Sequence, residues 1–243
     1  MTGNLLLLST SKIFGGRYLD FAFDAVTELL LGRRRLVFVP YAVRDHAKYT
    51  ATVRAAFEPA GIELTGLDEV AAPADAVRQA EAVFIGGGNS FRLLRALQDR
   101  DLIDVIRQQV LAGAPYMGSS AGSNMACPSL RTTNDMPIVQ PASFAALNLI
   151  PFQLNPHYQD PEPGSRHMGE TREDRITEFL EENDVPVLGL REGSWLRVAA
   201  DTAAIGGVVG ARLFSRGGPA TELVPGDDVS TLLTTPARFD AGP

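Results

Sequence analysis

The chain has 243 residues, 45% of them hydrophobic and 21% charged, which is the composition of a soluble globular chain able to build a full core without disulfide staples. A net charge of −7 argues against a nucleic-acid or anionic-membrane partner. Its one cysteine, Cys127, excludes an intramolecular disulfide and a cysteine-built metal site, and points to a reducing cytoplasm.

Asn4 to Ser9 is a short apolar run without a basic flank, so it reads as a buried strand rather than a signal peptide or a membrane span. Tyr18 to Leu31 carries helical periodicity through Leu19, Phe23, Val26 and Leu30, and stops at Gly32. Arg33-Arg34-Arg35, the one basic cluster, follows that stop, where cations suit a helix end. Strands are expected at 36–39, 62–67, 82–85 and 116–117, and helices at 47–57, 73–80, 90–97 and 102–111. This alternation predicts an α/β fold, a mostly parallel sheet with helices on both faces. Ligands of such sheets gather beyond the carboxyl ends of the strands, where Gly86 and Ser120 fall.

The second half is less regular. An apolar segment, 149–154, runs into Asn155-Pro156-His157. Residues 159–169 read as a loop or lid, and 171–182 as an amphipathic helix. Strands are expected at 185–190 and 195–199, a glycine-broken hairpin at 203–214, and little pattern after Pro219. Without a repeat or linker, residues 1–243 read as a single domain with a peripheral tail beyond about 219.

Gly118-Ser119-Ser120-Ala121-Gly122 fits G-x-S-x-G, the strand-turn-helix elbow that exposes a serine hydroxyl. The amide of Ala121 would then open a helix and face a developing oxyanion. Gly86-Gly87-Gly88-Asn89-Ser90 lets backbone approach a ligand closely. It lacks the lysine of a phosphate loop, and suits the second half of an oxyanion hole through the Gly88 N–H. A non-catalytic use of Gly86 to Asn89 for a small anionic ligand stays open.

A serine nucleophile needs a base. Of the three histidines, His46 reads as a solvated loop residue and His167 lies in the lid, where it could touch substrate. His157 sits in a rigid turn at a strand end and is the candidate base. Two carboxylates compete to orient it. Asp135, in the polar loop 131–137, gives the order Ser, Asp, His; Glu192, just past a strand end, gives Ser, His, Glu. Strand position favours Glu192, leaving Asp135 to organise its loop or bind a substrate amine.

Six stretches together (GGGNSF, GSSAGSNMACP, RTTNDMPIV, ALNLIPFQLNPHY, GETRE and LREGSW) resemble peptidase E, the α-aspartyl dipeptidase family, in register from Leu5 to about Gly207. The resemblance implies the flavodoxin-like fold shared with class I glutamine amidotransferases, whose Cys, His, Glu order supports Ser120, His157 and Glu192. An aspartate at the place of Asp135 has also been described in that family, so both carboxylates stay in play. It further implies hydrolysis of dipeptides with an N-terminal aspartate, without metal or cofactor. Arg172 matches the arginine thought to hold the substrate's aspartate side chain, a task suited to a bidentate guanidinium. Asn89 and Glu170 are placed with it on the substrate. Ser119 departs from the pattern, since relatives carry a bulkier residue there, and is expected to tune the pocket. A cyanophycinase-like hydrolase is the nearest rival. The expected partner is a small peptide substrate, with no nucleic acid and no membrane, and the protein is expected to be a cytoplasmic monomer or homodimer.

Overall fold

The computed structural model describes residues 3–161, 164, 166 and 168–242. Its first half follows the alternation closely: β1 (Asn4–Leu8), α1 (Phe23–Leu30), β2 (Arg35–Val39), α2 (His46–Phe57), β3 (Glu63–Gly66), α3 (Pro73–Arg78), β4 (Ala82–Ile85), α4 (Ser90–Gln98), α5 (Leu102–Leu111), β5 (Tyr116–Ser119) and α6 (Ala121–Ala126). The second half adds β6 (Gln153–Pro156), α7 (Arg172–Glu182), β7 (Val187–Leu190), β8 (Ser194–Ala199), β9 (Thr202–Gly207), β10 (Ala211–Phe214) and β11 (Thr221–Leu223).

Local chemistry explains several boundaries. The Asp45 carboxylate accepts the Lys48 N–H at 3.0 Å and starts α2. Asn89 does the same for Arg92 at the start of α4. Thr171 and Asp174 form a reciprocal capping box at α7. The stretch expected to be one helix from Tyr18 begins as a 3₁₀ turn, Asp20–Ala22, and becomes α-helical only at Phe23. His46 is the first residue of α2 rather than a loop residue, with its ring edge-on to Tyr41.

Among the described residues the main sheet has seven strands, in the order β3-β2-β4-β5-β1-β8-β9. The first five are mutually parallel, whereas β8 and β9 join antiparallel at the far edge. Leu5 and Leu7 pack with α4, α5 and α6 on one face, and Leu6 and Leu8 with α1 and α2 on the other. Burial on both faces is why β1 is continuously apolar instead of alternating.

A second sheet, β11-β10-β7-β6, was not expected. Its β6 and β7 are parallel neighbours. Leu188 and Leu190 turn toward the core shared with the main sheet, while Val187 packs with Ile176 and Leu180 of α7. The expected hairpin over 203–214 is therefore corrected: β9 pairs with β8 in the main sheet and β10 with β7 in the second. Gly207 at φ 116° marks the point where the chain leaves one sheet for the other. The tail also has structure, with β11 pairing β10 and a 3₁₀ turn at Ser230–Leu233. Among the described residues, no helix is long and apolar enough to cross a membrane.

Candidate active site

The site lies where the carboxyl ends of β4 and β5 face those of β6 and β7. Ser120 follows β5 directly and is the N-cap of α6, at φ 52° and ψ −110°. A non-glycine residue held there is strained, at a cost of about 1–3 kcal/mol. Surrounding contacts hold it: the Ser120 N–H donates to the Leu8 carbonyl at 3.0 Å. A Cβ on Gly122 would collide with the Ile85 carbonyl, so only glycine lets α6 press this closely on β4.

His157 follows β6 and Glu192 lies two residues past β7. The His157 Nε2 is 2.9 Å from Ser120 Oγ, and its Nδ1 is 2.7 Å from Glu192 Oε1. With Nδ1–H donating to the carboxylate, Nε2 is left to accept the serine proton. The imidazole and carboxylate are each partly open to solvent, and Ser120 is half-buried rather than buried.

Asp135 does not touch this imidazole. Its Oδ2 accepts the Ser90 N–H at 2.7 Å at the start of α4, and Thr133 Oγ1 donates to the same oxygen at 3.3 Å. The loop around it is a brace: Asn134 donates to the Pro156 carbonyl at 2.8 Å, and Asn155 donates to the Thr132 carbonyl at 2.9 Å. Of the two functions left to Asp135, organising its loop matches these bonds.

Gly88 adopts φ 135°, and a Cβ there would sit 2.6 Å from the Ala42 carbonyl oxygen. The preceding Gly87 abuts the elbow, where a Cβ would meet that of Ser120 at 3.2 Å. The Gly87 N–H donates to the Tyr49 hydroxyl at 2.8 Å, while the N–H groups of Gly88 and Ala121 donate to no acceptor among the described residues. Tyr49 gives no signal in the sequence. It sits on α2, 38 residues before Gly87, and burial pushes its phenol pKa up.

Arg172 opens α7. Burial, and then the nearby Arg175, lower its pKa, while the Asp135 charge works in the opposite sense. Glu170 pairs with Arg175 at 3.4 Å instead of with Arg172. Asn89 uses its side chain to cap α4 and to donate to the Met136 carbonyl at 2.9 Å. Ser119, expected to tune the pocket, is fully buried at the end of β5, and its hydroxyl has no hydrogen-bond partner among the described residues. His167 lies outside the described residues, as do three other positions of the 159–169 stretch. Asp160, near its start, is gripped by Arg191 through two hydrogen bonds, of 2.7 and 2.9 Å.

Residues 5–206 match the model of peptidase family S51. The chain belongs to this family. It is 59% identical over 239 residues to the peptidase E of Streptomyces coelicolor, covering 98% of each chain. It is 50% identical over 233 residues to a probable alpha-aspartyl dipeptidase of Drosophila melanogaster, covering 95% of this chain and 97% of that one. The crystal structure of a peptidase from an acI-B1 Actinobacterium superposes with a TM-score of 0.70 at 16% identity, covering 94% of this chain and 97% of the other. That likeness speaks for the fold alone.

Proposed function

We propose that this family S51 peptidase is a serine dipeptidase that hydrolyses Asp-X dipeptides through an acyl-enzyme on Ser120. The observation that carries it is the continuous contact from Ser120 Oγ through His157 to Glu192, at 2.9 and 2.7 Å. Relatives named peptidase E and alpha-aspartyl dipeptidase at 59% and 50% identity supply the substrate class.

His157 takes the Ser120 proton as Oγ attacks the main-chain carbonyl of the aspartyl residue, and Glu192 stabilises the imidazolium. The N–H groups of Gly88 and Ala121 receive the oxyanion, each worth about 3 kcal/mol in the transition state. His157 then protonates the departing amine, and water, deprotonated by the same imidazole, releases aspartate. Arg172 receives the substrate's side-chain carboxylate as a bidentate fork. Its partial desolvation makes an unpaired state unfavourable, so an uncharged P1 side chain is rejected. The reading includes a cytoplasmic monomer or homodimer, consistent with the single cysteine and the acidic net charge.

The test is turnover of Asp-Leu beside Asn-Leu, Glu-Leu and an aspartyl-arginine polymer. Cleavage of Asp-Leu with strong preference over the others is expected. Cleavage of the polymer alone would transfer the chain to a cyanophycinase-like activity, and loss of no activity in Ser120→Ala would remove the acyl-enzyme.

A further inference from the structure

We propose that Ser9, which lies outside the relay, is the positioning residue that sets the reach of His157 to Ser120. The proposal takes the Ser120–His157–Glu192 relay as the working machinery.

Ser9 is the first residue past β1 and is fully buried. A buried hydroxyl has one proton to donate and lone pairs to fill, and leaving either unmet costs about 1–3 kcal/mol. Ser9 Oγ donates to the Leu190 carbonyl at 2.8 Å and accepts the His157 N–H at 2.9 Å. Those partners are the adjacent ends of β7 and β6, in the other sheet. One leads within two residues to Glu192, and the other is the base itself. The Ser9 N–H donates to the Ser194 carbonyl at 3.1 Å, two residues after Glu192. The preceding Leu8 carbonyl accepts the Ser120 N–H.

The two-residue step Leu8–Ser9 thus touches all three segments that carry the relay. Leu8 holds the nucleophile from the main sheet, and the Ser9 hydroxyl reaches across to the backbone of the base, His157, and to Leu190, two residues before the carboxylate, in the second. The need is visible in the backbone. His157 sits at φ 56°, a left-handed conformation that costs a non-glycine residue about 1–2 kcal/mol. Such a residue keeps its place only when neighbours over-determine it. The Tyr158 N–H also donates to Leu190, at 3.0 Å, so removing the Ser9 hydroxyl orphans the His157 N–H while Leu190 keeps a partner. The expected damage is therefore local to the imidazole.

The test is Ser9→Ala, with Ser9→Cys as a second variant that keeps a polar hydrogen but replaces the hydroxyl by a bulkier thiol, weaker both as donor and as acceptor. Two quantities are read: kcat and KM on Asp-Leu, and the His157 ring tautomer from long-range ¹⁵N–¹H correlations without substrate. The expected result is a kcat lowered about 100-fold with KM within about twofold, as a misplacement of order 1 Å produces. The Nδ1–H tautomer should lose its dominance in Ser9→Ala and be partly kept in Ser9→Cys. A folded variant with native kcat overturns the proposal, as does an unchanged tautomer. Failure of both variants to fold also overturns it, by assigning Ser9 to stability alone. The tautomer measurement needs no substrate, so a native protein inert toward Asp-Leu would sink the dipeptidase activity and leave the Ser9 arm standing.

Discussion

Glu192 Oε1 lies 2.7 Å from Nδ1 of His157, while the Asp135 carboxylate receives the Ser90 N–H at 2.7 Å at the start of α4. The two acids have different tasks, and substitution separates them. Glu192→Gln keeps the shape but disturbs the tautomer, and kcat is expected to fall by roughly 10²–10⁴-fold with KM little changed. Asp135→Asn removes a charge facing Arg172 and weakens the brace around α4, and should raise KM more than it lowers kcat. Steady-state kinetics of both variants on Asp-Leu decide the matter; the reverse pattern would give the relay to Asp135.

Ser120→Ala and His157→Ala remove parts of one unit, so their effects should not add. Each alone is expected to lower kcat by about 10⁴-fold or more, and the double variant to be no worse than the weaker single one. Additive losses would show that the two side chains act separately, despite their 2.9 Å contact.

Arg172→Ala is expected to erase most of the preference for Asp-Leu over Asn-Leu. Losing a charge-assisted pair at a partly desolvated site costs about 2–3 kcal/mol, or roughly 30- to 150-fold in kcat/KM on the aspartyl substrate. Turnover of Asn-Leu should rise modestly, because no guanidinium is then left unpaired beside the uncharged side chain. A variant that still discriminates as the native protein does would place the carboxylate elsewhere.

Tyr49→Phe removes the hydroxyl that receives the Gly87 N–H at 2.8 Å. The loop then loses one of the two bonds that flank Gly88, the other being the Asn89 N–H on the Ala42 carbonyl. We expect kcat to drop about tenfold, short of the roughly 10²–10³ seen when an oxyanion donor is deleted outright. KM should stay within about twofold, because the substitution leaves the proposed Arg172–carboxylate contact untouched. Native kcat in this variant would show that the glycine loop needs no pin.

Cys127 is fully buried, and desolvation pushes its thiol pKa from 9.0 to about 12. A thiol is more acidic in the unfolded chain, so its contribution to stability is fully present below pH 9 and is lost as pH rises from 9 to about 12. Iodoacetamide at pH 8.5 should leave the native protein unlabelled and active, and label it fully in guanidinium. Rapid labelling of folded protein would contradict the burial.

The first half of this chain was legible because its periods are local. A strand covered on both faces must be apolar throughout, as Leu5 to Leu8 is, and a helix must repeat near 3.6 residues, as Leu102, Ile106 and Val110 do. The elbow was legible too, since small residues on both sides of Ser120 answer to a close approach of backbone. His157 and Glu192 could be singled out as strand-end residues, by position and by resemblance to a family. Pairing was another matter. Neither β9 nor β10 says in its own residues which sheet it joins, because register and partner are set by contacts far away along the chain. Tyr49 looked like any half-buried helix residue, and Ser9 like the end of a strand. Their hydroxyls acquire purpose only when folding brings Gly87 to one, and Leu190 and His157 to the other. Chemical type and local period belong to the sequence; which polar groups meet is decided by the burial of two sheets against one core, since a buried hydroxyl without a partner costs about 1–3 kcal/mol and most are paired where the packed chain supplies a partner.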